Sequence, residues 1–471
     1  MLTVLYLNYI ILIFLVFTCL VYFFNLNFNW LYVTTTQHGI SKIILYTFIS
    51  NFIFINYLIY NIYLYQFINL YTINIYKIVN YNFYFSFIYI FILITIISIL
   101  YCLSYNYNEL NSFLIYISII YIAGFGLFFT NSMIFFFIYY ELLLIPSFFI
   151  LYIFSKTRRS VEASYLMFFW TQLGAMFLIF IFLYLYTITN STLFTNIKFY
   201  NLSKFEINFI FINLLIGFGV KLPIWPFYEW LPKAHVEAST NFSIFLSGVL
   251  VKFAFFGFFK CILLLETELN FIYIYPYLFI GLCDSIFKMY YQLDVKKLVA
   301  YATVAEMHWL LICLISGQSV LWLAGFCMLI SHAILSTNSF LMVDSIARRF
   351  KTRLANEIHA INFLCPKLFL LILVNCIVFL GFPGSLFFIS EFLFFSFLLD
   401  LFPLFYFILL ILIYLLLASF FFKIWLNILF SSINISIKKI PLDLDKTELL
   451  IFSFLIILIF WLGFTWCSFI F

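Results

Sequence analysis

Runs of about twenty apolar residues follow one another almost from end to end of this chain, each long enough to cross a bilayer as a helix. The alternation of polar and apolar residues that marks an outer-membrane barrel is not seen. The predicted fold is therefore all-α, a polytopic membrane helical bundle. Of the 471 residues, 67% are hydrophobic and 9% charged, whereas a soluble domain is nearer half apolar and about a quarter charged. So few charges cannot cover an aqueous surface, which makes lipid the main solvent. Hydropathy places about fourteen spans, near 4–24, 43–65, 84–104, 111–128, 130–154, 162–187, 206–231, 241–264, 271–288, 297–316, 319–344, 364–399, 403–430 and 448–469.

Phe, Tyr, Ile and Asn are abundant, residues with AT-rich codons, which suggests an organellar genome. The chain opens directly into apolar sequence (Leu2 to Phe24), without the Arg-rich amphipathic character of a transit peptide. It is expected to be made inside its organelle or in a bacterium. The nine cysteines are scattered singly and read as small buried hydrophobes. No zinc or iron–sulfur spacing is present. A net charge of +5 suggests no nucleic-acid partner.

Most of the 23 basic residues fall in or beside loops that follow odd-numbered spans, among them Lys42, Lys156, Arg158, Arg159, Lys296, Lys297, Arg348, Arg349, Lys351, Arg353, Lys438 and Lys439. The positive-inside rule puts those loops in the matrix or cytoplasm, with both termini on the other side. Lys77, Lys198, Lys204 and Lys260 read as lying toward that other side. His38, His235 and His359 are expected in loops, and Asp344 to His359 as an exposed cluster.

Two spans carry breaks. GFGVKLPIWPFYEWLP (Gly217 to Pro232) holds Pro223 and Pro226, and GFPGS (Gly381 to Ser385) interrupts 364–399. Each proline removes a backbone donor and disfavours helix in the preceding residue. In lipid such breaks survive where they are buried or line a cavity, and paired breaks in two halves point to a transport site.

Five ionisable side chains sit deep in apolar runs: Glu141, Lys221, Lys252, His332 and Glu391. A charge at mid-membrane costs at least ~2.5–3.5 kcal/mol on insertion scales, so these groups must pair or touch water. An ammonium beside a carboxylate holds its proton and releases it when the carboxylate withdraws. Alternating Lys, His and Glu with water between them would thus make a proton relay. Gly248 lies one turn from Lys252, permitting a close neighbour, and His332, Ser336 and Ser339 share a helical face. The plainer readings are a static Lys–Glu bridge and a hydrogen-bonded core histidine. Glu229, Lys233, His235 and Glu237 follow the first break and read as a solvated loop or a channel mouth.

The segment VKLPIWPFYEWLPKAHVEASTNFSIFLSGVLVKFAFFGFF (Val220 to Phe259) resembles the signature of the antiporter-like subunits of respiratory complex I, specifically the subunit-4 family. LDVKKLVAYATVAEM (Leu293 to Met307), GFPGSLFFISEF (Gly381 to Phe392) and TRRSVEASYLMFFWTQLGAMF (Thr157 to Phe177) are similar to further parts of it, and the resemblance covers about 130 to 430. It implies fourteen helices with two inverted five-helix repeats. The divisions are then divergent N-terminal helices (1–110), a first repeat (111–265), a second repeat (270–430), and a C-terminal loop and last helix (431–471).

By motif, Glu141 and Lys221 would be a paired glutamate and lysine, Lys252 and His332 the continuing relay, and Glu391 the outlet-side carboxylate. Glu306 stands where the family usually has His, with His308 two residues later. Two residues are about 200° around a helix, so His308 cannot take the same face. Tyr228 stands where the family often has another His.

The resemblance implies a proton-translocating subunit of H+-translocating NADH:ubiquinone reductase in the mitochondrial inner membrane, without cofactor of its own. NAD, FMN, Fe–S clusters and ubiquinone would be bound by other subunits. Its partners would be the other membrane-arm subunits, including the sister antiporter-like ones, with lipids, protons and water. A Mrp-type cation/proton antiporter would share the breaks and the Lys–Glu pair; Glu391 and LPKAHVEA argue against it. A haem-bearing oxidoreductase would need several axial histidines, and the chain has five His in all.

Overall fold

The structure, a computed structural model, describes residues 75–104, 110–154, 157–197, 202–265, 274–398, 404–431 and 442–470. The predicted spans 4–24 and 43–65, His38 and the pair Lys438 and Lys439 lie outside them. The chain divides into two compact units, 1–121 and 122–471. Among the described residues the first unit holds α1 (Ile75–Ser104) and the start of α2 (Leu110–Phe129), where the Phe91 and Tyr121 rings stack at 5.4 Å.

The second unit continues through α3 (Met133–Leu142), α4 (Leu144–Phe154), α5 (Arg158–Thr189), α6 (Phe194–Ile197) and α7 (Lys204–Gly219). Hydroxyl side chains start two of the long helices. Thr157 accepts from the Ser160 amide and Ser203 from the Glu206 amide, each in a reciprocal capping box worth ~1 kcal/mol. Asn190, in a left-handed conformation, stops α5.

After α7 the backbone leaves the helix at the prolines, as expected, and turns through a short 3₁₀ segment, Phe227–Glu229. It resumes as α8 (Trp230–Glu237) and α9 (Thr240–Phe245), passes through a π-helical turn at Leu246–Leu250, and enters α10 (Val251–Leu265). Then come α11 (Tyr275–Tyr290), α12 (Val295–Ile315) and α13 (Ser319–Phe350). The second break separates α15 (Pro366–Phe379), reached through α14 (Ile361–Leu364), from α16 (Leu386–Leu398); α17 (Leu404–Phe430) and α18 (Lys446–Ile470) follow.

Seven described helical segments are long and apolar enough to cross a membrane. Two of them, Thr240–Leu263 and Val295–Ile315, are wholly enclosed by the rest of the protein. The long helix α13 is the centre of the second unit: α9, the π turn, α12, α15, α16 and α18 all pack against it. Side chains pointing inward from these elements are thereby drawn to one axis.

Several sequence expectations are corrected. Helix α13 runs through Arg348 and Arg349 to Phe350, so the first part of the expected cluster Asp344 to His359 is helical. Both arginines reach the buried Glu448 of α18, at 2.9 and 2.5 Å. Lys296 is buried in the first turn of α12 and donates to the Ala238 carbonyl at 2.6 Å. Lys260 is buried beneath the Phe136 and Phe194 rings and bonds the Thr130 carbonyl. His235 is no loop residue: it sits in α8, fully enclosed, stacked on Phe340 at 4.6 Å. The long apolar packing of α8 against α5 and α12 explains this, since polar residues in a short helix are carried inward with it. Five of the six described cysteines are buried and all are free.

Candidate functional site

Lys252 is the second residue of α10, just past the π turn. Its ammonium folds back to the Ser247 carbonyl and lies 2.7 Å from His332 Nδ1 on α13. The other imidazole nitrogen, Nε2, is 3.2 Å from Glu306 Oε2 on α12. All three side chains are buried, at 4, 2 and 2% exposure, so bulk water does not screen them. The Glu306 contact is within ion-pair range but off the line of a hydrogen bond, and neither Glu306 oxygen accepts one from a described residue.

An imidazole in this setting has one consistent neutral form. The ammonium donates to Nδ1, which leaves the proton on Nε2, facing the carboxylate. Receiving a proton at Nδ1 and surrendering the one at Nε2 passes charge from Lys252 to Glu306 without moving a heavy atom far.

Glu391, on α16, lies within electrostatic reach of Glu306. The Tyr414 hydroxyl of α17 donates to its Oε1. Its Oε2 lies against Gly381, whose φ of +73° closes the second break, and a β-carbon there would strike the carboxylate. The break thus makes room for the acid.

Lys221 sits in the first break, 6% exposed. Its ammonium donates to the Tyr140 carbonyl at 3.2 Å and rests 3.6 Å above that ring. Glu141 accepts from Gln172 Nε2 at 2.9 Å. The expected direct Lys221–Glu141 pair is therefore not closed, because the lysine takes the neighbouring carbonyl and ring instead; the two remain in electrostatic reach. A small cavity of about 10 Å³, lined by Lys221, Ser147, Thr171, Trp230 and Leu250, lies between Lys221 and the turn that leads to Lys252.

His308 faces away from this line, as the helical angle requires. Its Nε2 accepts from the Trp225 amide at 3.0 Å and its Nδ1 lies 2.8 Å from the Val304 carbonyl. It supplies the acceptor that the proline break denies Trp225. Tyr228 bonds Asp284 and receives Lys288 Nζ at 2.6 Å, and Lys288 also pairs with Glu229 at 3.2 Å. Exposure of Lys288 and Glu229 makes this a surface cluster.

The six sequence candidates fall in two groups: Glu141 with Lys221, and Lys252, His332, Glu306 and Glu391. The partners Gln172, Tyr140 and Tyr414 were not picked out from sequence. Among 35 tyrosines nothing distinguishes Tyr414, which becomes visible only through α16–α17 geometry. Among the described residues no group of His, Cys, Asp or Glu is arranged to hold a metal ion.

The family described as "NADH:quinone oxidoreductase/Mrp antiporter, TM" matches residues 130–434. A curated relative, "NADH-ubiquinone oxidoreductase chain 4" of Paramecium tetraurelia, is 39% identical over 292 residues, 62% of this chain and 61% of that protein. The chain thus spans about three fifths of the relative's length. Among solved structures, a chain of the archaeal membrane-bound sulfane sulfur reductase, a respiratory membrane complex, superimposes with a TM-score of 0.73 at 22% identity, over 81% of this chain and 64% of that one. A chain of the Mrp complex from a Dietzia species gives 0.73 at 14% identity, over 81% and 80%. At such identities these two likenesses concern the fold.

Proposed function

This chain belongs to the NADH:quinone oxidoreductase/Mrp antiporter membrane family, and from that premise we propose that it is the subunit-4 proton-translocating component of the membrane arm of respiratory complex I. The observation that carries the reading is the buried sequence Lys252–His332–Glu306, an ammonium and a carboxylate joined through one imidazole. A static ion pair needs no imidazole between its partners. A proton conductor is served by one, because the two ring nitrogens exchange donor and acceptor roles.

In this proposal a proton held on Lys252 passes to His332 Nδ1 as the Nε2 proton goes to Glu306. The next acceptor is Glu391, whose hydrogen bond from Tyr414 steadies the carboxylate. Upstream, Lys221 and Glu141 respond to conformational changes at the first break, which His308 ties to α12 through Trp225. Closing Lys221 onto Glu141 would hold the proton on the lysine, and opening the pair would release it toward Lys252 through the intervening cavity. The two breaks and their flanking helices correspond to two inverted repeats, with both termini on the intermembrane-space side of the mitochondrial inner membrane.

The chain does no redox chemistry itself. NAD, FMN, Fe–S clusters and ubiquinone belong to other subunits, and energy arrives by coupling through the neighbouring antiporter-like subunits. The likeness to the Mrp complex supports the shared fold, while the 39% identity to a complex I chain favours the respiratory reading.

The test is native-gel separation of gently solubilised membranes with an in-gel NADH-oxidation stain and mass spectrometry of the bands. Peptides of this chain in a very large NADH-oxidising band support the proposal. Peptides found only in a smaller band without that activity overturn it in favour of the antiporter.

A further inference from the structure

Two seats on α3 compete for the Lys221 ammonium, and they are consecutive residues. One is the Glu141 carboxylate, in electrostatic reach. The other is Tyr140, whose carbonyl accepts from Nζ at 3.2 Å and whose ring face lies 3.6 Å from it. Neighbouring residues of an α-helix project about 100° apart, so a single turn carries both seats. Lys221 occupies the second.

The Tyr140 ring is fixed by other rings. Phe218, three residues before Lys221, meets it edge to face at 5.6 Å, and Phe136, one turn back on α3, stacks on it at 6.2 Å. Tyr140 is 1% exposed, yet its hydroxyl has no hydrogen-bond partner among the described residues. A buried hydroxyl without a partner is unfavourable, so this position contributes through its aromatic face. The backbone gives way just beyond: α3 stops at Leu142 and α4 resumes at Leu144, because the ring of Pro146 does not fit against the Leu142 carbonyl in an unbroken helix. Glu141, held by Gln172 of α5, stands directly before this interruption.

We propose that Tyr140 is a positioning residue of the first group, its ring being the seat that receives the Lys221 ammonium when it leaves Glu141. Parting an ammonium from a carboxylate in a dry interior is costly when nothing replaces the lost attraction. A ring face replaces part of it. Its quadrupole attracts a charged lysine, most strongly away from water, and has no such hold on the neutral amine. The pair can therefore open while the lysine still carries its proton, which leaves the ammonium apart from the charge that kept the proton in place. Once the amine is neutral only the carbonyl bond remains, and the side chain is released from the ring. The inference rests on the relay reading and deepens it by naming the residue that holds the pair open.

The test compares Tyr140→Phe, Tyr140→Leu and Tyr140→Met in the assembled complex, with proton translocation and the amount of complex on native gels measured together. Phe keeps the face and removes only the unpartnered hydroxyl, so it should translocate at the wild-type rate. Leu and Met remove the face, and translocation should slow about tenfold, the scale of a desolvated cation–π contact. Met, nearer the ring in volume, carries the comparison where Leu lowers the amount of complex. High-resolution maps separate a seat from mere packing: Lys221 should stay over the ring in Phe and close onto Glu141 in Met. Translocation as slow in Phe as in Met, or Lys221 still bonded to the carbonyl at position 140 in Met, overturns the proposal. Normal translocation in Lys221→Ala overturns the relay reading beneath it, whereas failure of the seat alone shows as an impaired Lys221→Ala beside an unimpaired Tyr140→Met.

Discussion

His332 stands with its two ring nitrogens against opposite partners, Nδ1 at 2.7 Å from the Lys252 ammonium and Nε2 at 3.2 Å from the Glu306 carboxylate. Replacing it by Ala leaves a gap that neither neighbour spans. Proton translocation should fall by about a hundredfold or more, the scale of a lost general acid–base group, while the assembled complex persists. Proton-flux measurements on reconstituted complex check this; translocation above about a tenth of the wild-type rate would remove His332 from the relay.

Lys221 makes no direct ion pair with Glu141, so removing it should be tolerated structurally. Lys221→Ala should leave assembly largely intact, because the lost contacts are one carbonyl bond and a cation–π contact of ~1–2 kcal/mol. Coupled translocation should nevertheless be severely impaired. The amount of complex on native gels and the proton-to-electron ratio separate the two effects; a normal ratio in Lys221→Ala contradicts its assignment.

Gly381 and Gly317 share a left-handed backbone, φ +73° and +70°, but differ in what surrounds them. A methyl at Gly317 meets no atom within 4 Å, whereas one at Gly381 collides with the Glu391 carboxylate. Gly317→Ala should cost only the backbone strain, ~1–2 kcal/mol. Gly381→Ala should in addition displace Glu391 and depress turnover. Thermal denaturation and turnover of both variants test the contrast, which equal effects would abolish.

Glu448 is buried between Arg348 and Arg349. Glu448→Ala removes the buried carboxylate, while Arg348 keeps Asp344 and Arg349 keeps the Ser345, Leu442 and Asp443 carbonyls, and should destabilise the attachment of α18 to α13 by ~1.5–3 kcal/mol. Limited proteolysis near residue 446 should accelerate accordingly. Wild-type resistance in the variant would show that other contacts hold the helix.

Apolar run lengths made the helices legible, and prolines beside Lys221 and glycines ahead of Glu391 made the breaks legible, because both signals are local. Glu306 was legible only as a departure from a pattern; that it meets His332 follows from how α12 lies on α13. The enclosure of His235, Lys260 and Lys296 was missed for a related reason. A charge near a span end reads as a loop residue in one dimension, and only packing decides whether that end is covered. A buried side-chain hydrogen bond joins Asn338 and Asn375, 37 residues apart, and asparagine abundant for codon reasons gives no hint of which copies are buried.

The π turn at Leu246–Leu250 has a consequence for how this protein tolerates change. Such a turn fits one more residue into the same rise than an α-helix would. Deleting a single residue there would let the backbone relax into an unbroken α-helix with Lys252 kept near its place, whereas the same deletion inside a regular helix would swing every later residue by roughly 100° about the axis. The turn is thus a place where the chain can lose one amino acid and still keep Lys252 facing His332.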